Sequence, residues 1–356
     1  MNEQLAHILS AFPTDGAAVS CERYGCGHIN ETYLAVTERG HRYILQKIND
    51  HVFPDVPALM ENIASVTSFL KKQATDERSV LTLLPTLTGG TCHREPDGGW
   101  WRLYEFVEDS ICLQAPETPA DFYESAVAFG SFQQQLASFP AGSLHETIRN
   151  FHNTSDRMRI FRETLGRDPL GRAAAVQKEI DFVLAREEEA GALIRAQKAG
   201  ELPLRVTHND TKLNNVLLDD ATGEGICVID LDTVMPGLAL YDFGDMVRTA
   251  TNSAPEDEPD VTKVHMRMPM FEALVRGYLA SAGGFLNATE KELLPFSGKL
   301  LTFECAIRFL TDYLQGDVYF KTRRPGQNLD RCRSHFKLVE SIEEQHEAML
   351  EVVRRW

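Results

Sequence analysis

The sequence predicts an α+β chain: a small, mainly β N-terminal lobe followed by a larger, mainly α C-terminal lobe. Three observations point there. Residues 19–107 contain repeated runs of alternating apolar and polar residues. Beyond Asp109 the apolar spacing changes to three and four. The length, 356 residues, exceeds what one ordinary core holds together. The boundary is placed so that residues 1–107 form the first lobe and 108–356 the second.

The first sixteen residues lack a basic stretch followed by an apolar one, so they read as a short amphipathic helix and not a secretion signal. Val19–Tyr24, Thr32–Val36 and Arg42–Ile48 alternate as strands, with Glu38–His41 as a turn. Asp55–Gln73 is a helix by pattern, because Leu59, Ile63, Val66 and Leu70 recur on one face. Strands are expected again at Leu81–Leu87 and Trp100–Val107, around a Pro96–Gly99 turn. In the second lobe Phe122, Ala126, Phe129, Phe132, Leu136 and Phe139 form a stripe. One charged helix is expected over residues 172–199, and others over 266–281, 291–314 and 336–355. Ser253–Asp260 reads as an exposed loop.

Composition narrows the function. The net charge of −16, from 36 basic and 52 acidic side chains, argues against nucleic acid or an anionic membrane as partner. No apolar run approaches a bilayer span. The cysteines are scattered without a CxxC pair, so neither a disulfide framework nor a zinc site is expected, and a reducing cytoplasm is the simplest setting.

The chemistry concentrates in one segment. His208-Asn209-Asp210-Thr211-Lys212-Leu213-Asn214-Asn215 reads H-x-D-x-K-x-x-N and runs into an apolar strand. A second short strand, Ile226–Ile229, ends in Asp230-Leu231-Asp232. The two strands are expected to form a hairpin holding Asn215 near Asp230. Phosphoryl transfer asks a protein mainly to orient the nucleophile, place the phosphates and neutralise their charge. Asp210 suits acceptance of a hydroxyl proton, and Lys212 suits contact with the transferring oxygens. Asn215 and Asp230 offer the hard oxygens that Mg2+ takes. Asp232 is either a second metal ligand or a solvated neighbour. His208 is expected to be structural. Asp242-Phe243-Gly244 spells a kinase metal motif, but it comes too late in the chain and at a helix start. Asp242 is therefore expected to cap that helix and brace the catalytic loop. A metal-dependent hydrolase built on Asp210, Asp230 and Asp232 is the reading from another class, although Lys212 is out of place in such a site.

The H-x-D-x-K-x-x-N…D-x-D order resembles the aminoglycoside phosphotransferase and choline kinase superfamily, which is related to protein kinases. Flanking segments are similar to N-acetylhexosamine 1-kinases. They are Gly27–Tyr33, Tyr43–Asn49, Phe53–Ile63, Asn150–Thr154, and Arg308–Leu314 running on to Gly316–Phe320. The resemblance implies a protein-kinase-like bilobal fold, ATP and Mg2+ as cofactors, and phosphorylation of the anomeric hydroxyl of N-acetylglucosamine or N-acetylgalactosamine. The alternative within the superfamily is a kinase of another small alcohol, of the aminoglycoside, choline, homoserine or methylthioribose type.

On the nucleotide side, Tyr24–Asn30 is either a phosphate-covering loop contributing Gly27, His28 and Asn30 or an ordinary tight hairpin. Lys47, ending a strand, is expected to meet phosphates and to be held by Glu61, although Gln46 occupies the opposite face and the register stays open. Glu105 and Val107 end the last strand of the first lobe, where backbone groups would meet adenine. On the acceptor side, Arg308, Asp312 and Tyr319 are candidates to hold sugar hydroxyls. Arg308 and Asp312 would equally suit a plain helical ion pair. His152 and Asn153 are weaker candidates.

Overall fold

The computed structural model describes residues 2–25, 27, 29–96, 98–113 and 118–356. The chain divides into two compact units. One comprises Met1–Cys112 with Ser138–Arg149 and Val216–Met235, and the other comprises Leu113–Ala137 with Asn150–Asn215 and Pro236–Trp356. The first unit thus runs past the expected boundary at 107 and takes in two later segments.

The first unit is built on an antiparallel sheet. Its strands are β1 (Ala18–Arg23), β2 (Glu31–Thr37), β3 (Arg42–Ile48), β4 (Leu83–Leu84), β5 (His93–Arg94) and β6 (Trp100–Glu105), ordered β1-β2-β3-β6-β4 with β5 on β6. Alternation buries Ala35, Leu45 and Leu103 against Leu5, Ile8 and Leu9 of helix α1 (Glu3–Leu9). Helix α2 (Val56–Lys71) starts where Asp55 accepts the Ala58 amide, and it buries the expected Leu59, Ile63, Val66 and Leu70. The strand expected over 81–87 shrinks to Leu83–Leu84, because Pro85 has no N–H for the ladder. Strands β7 (Ser110–Ile111), β9 (Val216–Asp219) and β10 (Gly225–Val228) form a second sheet. The β9–β10 hairpin pairs Val216, which follows Asn215, with Val228, two residues before Asp230.

The second unit is helical apart from β8 (Arg205–Thr207), which leads into the H-x-D segment, and the short strand β11 (Met235–Gly237) before the first helix of its C-terminal part. Its helices are α3 (Pro119–Gln135), α4 (Thr154–Arg167), α5 (Gln177–Ala185), α6 (Glu187–Ala190), α7 (Ala192–Lys198), α8 (Ala239–Ala250), α9 (Met268–Ala282), α10 (Ala288–Glu292), α11 (Leu294–Gln315), α12 (Gln327–Glu344) and α13 (His346–Arg355). The buried α11 packs on α4, α8 and α12. At Gly244 of α8 a Cβ would lie 2.6 Å from the Ser297 carbonyl oxygen, so only glycine permits that approach to α11.

Three helices expected to be continuous are broken. Residues 172–199 form α5, α6 and α7, and at Gly191 a Cβ would lie 2.5 Å from the Arg195 guanidinium that fills its place. The helix expected over 291–314 breaks at Leu293, next to Pro295 in the first turn of α11. The one expected over 336–355 breaks at Gln345, whose amide reaches the Met266 carbonyl. No helix among the described residues is long and apolar enough to cross a membrane.

Candidate active site

In the second unit the H-x-D-x-K-x-x-N segment leaves β8 as an irregular loop with its polar backbone accounted for. His208 is fully buried between Phe129 and Phe132, with ring centroids 5.3 and 6.1 Å away, and its Nδ1 accepts the Asp210 amide at 3.3 Å. It is structural, as expected. Asn209 sits in the left-handed region at φ 67°. That corner presents two amides, of His208 and Asn209, to the buried Asp242 carboxylate at 2.9 and 2.7 Å. Gln133 also donates to Asp242, and Thr211 donates its hydroxyl to the Asp242 carbonyl and its amide to Asp245. Asp242 therefore braces the catalytic loop, but it does not cap α8, which carries no side-chain cap.

Held in this way, Asp210 keeps a partly open carboxylate. One oxygen lies 3.0 Å from the Lys212 ammonium and the other 3.2 Å from the Asn215 amide nitrogen. Asn215 also donates to the Asp210 carbonyl at 2.8 Å. With its amide group turned to Asp210, its side-chain oxygen has no hydrogen-bond partner among the described residues. A hard oxygen of this kind suits a magnesium ion. His152 lies behind the loop, with Nδ1 2.9 Å from Glu304 and Nε2 3.0 Å from the Asn209 carbonyl. Both nitrogens face acceptors, so the ring is held as imidazolium against the Glu304 carboxylate. Burial alone would oppose both charges, but their mutual attraction raises the His152 pKa and lowers that of Glu304.

In the first unit Asp230 ends the β9–β10 hairpin in the left-handed region at φ 59°, exposed. Asp232 is not a solvated neighbour. It is buried, with one oxygen on Arg102 and the other on Asn30, each at 2.5 Å. Lys47 lies on the other side of the strand, its ammonium 5.9 Å from the Trp101 ring centroid, with no ion pair among the described residues. Glu61 pairs with His145 at 2.7 Å and not with Lys47. Of the loop residues, Gly25 takes the glycine-favouring φ of 70°, Gly27 faces open space, and His28 lies outside the described residues. Glu105 bonds through its amide to the Thr82 carbonyl, and the Val107 carbonyl accepts the Ser110 hydroxyl.

Among the acceptor candidates, Arg308 lies over the rings of Phe151, Tyr319 and Phe320, and it reaches the Tyr319 hydroxyl at 3.3 Å. Tyr319 is exposed. Asp312 forms no ion pair with Arg308. It is buried and accepts the amides of Val318, Tyr319 and Phe320, so it shapes the segment bearing Tyr319. Asn153 caps α4.

A cavity of about 320 Å³ opens beside the catalytic loop within this unit. Thr211, Lys212, Asn214, Arg248, Thr249 and Glu256 line it, with Leu274 and Phe122 as apolar wall. His335 also borders it, and burial holds its imidazole down at about 4, uncharged near neutrality. Glu256, Cys305 and His335 approach within 4.8 Å of one another, but Glu256 faces Arg248 and Arg331 at 3.6 and 3.3 Å. The group reads as a charge-paired wall.

Sequence reasoning missed Arg102, Glu304 and Arg157. Arg102 interrupts an apolar strand and Glu304 an apolar helix face, and a lone charge in such a pattern was the available signal. Arg157 donates to the Phe151 carbonyl at 2.7 Å, while its buried Nε has no partner. Burial and the like charge of Arg308 depress its pKa.

A profile of the phosphotransferase enzyme family (APH) matches residues 20–284. Among solved structures, an aminoglycoside phosphotransferase from Alicyclobacillus acidocaldarius superimposes with a TM-score of 0.64 at 14% identity, covering 100% of this chain and 96% of its own. A microcompartment-associated aminopropanol kinase gives 0.62 at 20%, covering 97% and 98%. An amicoumacin kinase solved with AMP-PNP and Ca2+ gives 0.60 at 14%, covering 97% and 94%. At these identities the likeness carries the fold: an antiparallel sheet region followed by a helical part.

Proposed function

The chain belongs to the phosphotransferase enzyme family, and from that premise we propose that it transfers the γ-phosphoryl group of ATP to the anomeric hydroxyl of an N-acetylhexosamine. The observation that carries this acceptor is the cavity beside Lys212. Its volume, about 320 Å³, is at the lower end of small-molecule sites and matches one sugar ring better than a multi-ring aminoglycoside. Its charged lining is Lys212 and Arg248 against Glu256, with His335 neutral. Lys212 is paired with Asp210 and Arg248 with Asp245, so the cations are internally balanced, and Thr211, Asn214 and Thr249 offer the hydrogen bonds that a neutral polyhydroxylated ring takes. The exposed Tyr319 ring under Arg308 adds a surface of the amphipathic kind that sugars stack on.

In this reading residues 1–107 bind the nucleotide and residues 108–356 the acceptor. Asp210 takes the acceptor proton as the anomeric oxygen bonds to the γ-phosphorus and the bond to the β–γ bridging oxygen breaks, releasing ADP. An anomeric hydroxyl is more acidic than an ordinary alcohol, so a carboxylate base is adequate. Lys212 lies 3.0 Å from the Asp210 carboxylate and in this reading faces the transferring oxygens. Asn215 and Asp230 are the residues that would hold Mg2+, which when bound neutralises phosphate charge.

The test is steady-state ADP release with Mg2+ and a panel of acceptors. N-acetylglucosamine or N-acetylgalactosamine is expected to give the highest kcat/KM. Turnover on aminopropanol, choline or aminoglycosides with none on N-acetylhexosamines overturns the acceptor assignment.

A further inference from the structure

Arg102 is a charged residue inside a largely apolar strand. It is fully buried in β6, with one carboxylate partner, Asp232. The β3–β6 register places Gln46 opposite Arg102 and Lys47 opposite Trp101. Strand alternation then puts Gln46 and Arg102 on one face and Lys47 on the other. A continuous series of bonds runs across the first face. Thr32 accepts from Gln46 at 3.0 Å, and Gln46 accepts from Arg102 at 2.9 Å. Arg102 meets one Asp232 oxygen, and Asn30 donates to the other. Asn30 in turn accepts the Asn49 amide at 3.0 Å, and Asn49 donates to the Ile29 carbonyl at 3.3 Å.

The series joins three pieces of backbone that are far apart in sequence: the end of the glycine hairpin, the end of β3, and the turn that carries Asp230. A buried guanidinium gives that joint direction as well as charge, because its planar donors fix both Gln46 and Asp232. The ammonium of Lys47, on the opposite face, has no part in it.

We propose that Arg102 is a positioning residue for nucleotide binding: through Asp232 it fixes the turn bearing Asp230 and, through Asn30, the glycine hairpin, a task Lys47 does not share. This rests on the kinase reading above. The hairpin is stitched to the metal-side turn before any ligand arrives, which lowers the ordering cost of binding a triphosphate.

The experiment is equilibrium titration of the full chain with AMP-PNP and Mg2+, alongside thermal melts. Asn30→Ala cuts the hairpin from Asp232 but leaves the buried ion pair intact. It is expected to raise Kd about 10-fold, the scale of one hydrogen bond to a charged group, with Tm within about 2 °C of wild type. Arg102→Gln is expected to weaken binding at least as much, and Arg102→Lys, which keeps the charge but loses the fork, to recover part of it. Lys47→Ala is expected to fall short of both losses. A purely structural role for Arg102 would lower Tm and leave the Kd of the folded protein unchanged. Asn30→Ala binding as wild type, or Lys47→Ala exceeding it, overturns the inference while leaving the kinase reading intact. If Arg102→Gln does not fold, Asn30→Ala alone decides. Wild type failing to bind AMP-PNP defeats the kinase reading, and the inference with it.

Discussion

Replacing Asp242 by alanine tests how the catalytic loop is held. Its carboxylate is fully buried and accepts the amides of His208 and Asn209 and the side chain of Gln133. Gln133 is in turn bonded by the Tyr278 hydroxyl. Alanine leaves these donors without acceptors in a site too enclosed for bulk water. Each hydrogen bond to a charged group is worth about 1.5–3 kcal/mol, but the bonds form one network and do not add. Burial also disfavours the Asp242 charge, as its raised pKa shows. A net loss of about 3–5 kcal/mol follows, the range for removing one partner from a buried charged group. For a chain of this size that is a fall in Tm of about 4–7 °C. Asp242→Asn keeps one acceptor oxygen and turns an amide donor toward other donors, so it is expected to lose about 1–3 kcal/mol. The loop displacement should also lower kcat by about 10²-fold, since an error near 1 Å at a reacting group has that effect. Thermal melts and ADP release on the same preparations measure both. A Tm within about 1 °C of wild type together with normal turnover would refute the bracing role.

Three further outcomes are expected. Asp210→Ala retains AMP-PNP binding but loses about 10²–10⁴-fold in kcat, the range for a lost general base, so wild-type turnover would exclude it as base. Asp230→Ala abolishes Mg2+-dependent nucleotide binding by calorimetry, and EDTA treatment of wild type gives the same result; unchanged binding in either case removes Asp230 from the metal site. Glu304→Gln breaks the buried pair with His152, and urea melts should show a loss of about 3 kcal/mol. The lowered Glu304 pKa makes its contribution present above about pH 4.3, and the raised His152 pKa makes the imidazolium's contribution complete only below about pH 6.5. The difference between wild type and variant is therefore largest between those values and shrinks as pH rises through the His152 pKa; a difference that grows from pH 6 to 9 would refute the ion pair.

Local patterns were legible. The stripe of α2, the β9–β10 hairpin and the structural role of His208 follow from periods of 3.6 and 2 and from motif spacing, which are properties of short segments. Asp242 was readable as a loop brace because it came too late in the chain to match Asp230. Its partners His208 and Asn209, more than thirty residues earlier, were not. The choice between Gln46 and Lys47 depended on the pairing of β3 with β6, and a one-residue change of register exchanges the faces. Glu61 was lost to His145 for a similar reason, because Ser138–Arg149 joins the first unit from the middle of the helical sequence. Asp312 and Arg308 share a helix face, yet the amides after Gly316 turn back onto Asp312, and the pattern of the helix alone did not show it.

Which bond is made defines the reaction. Phosphorus NMR of the product formed from ATP, Mg2+ and N-acetylglucosamine or N-acetylgalactosamine resolves it. A phosphomonoester resonance coupled to the anomeric proton is the expected result. Phosphate on another hydroxyl, or inorganic phosphate alone, would contradict it.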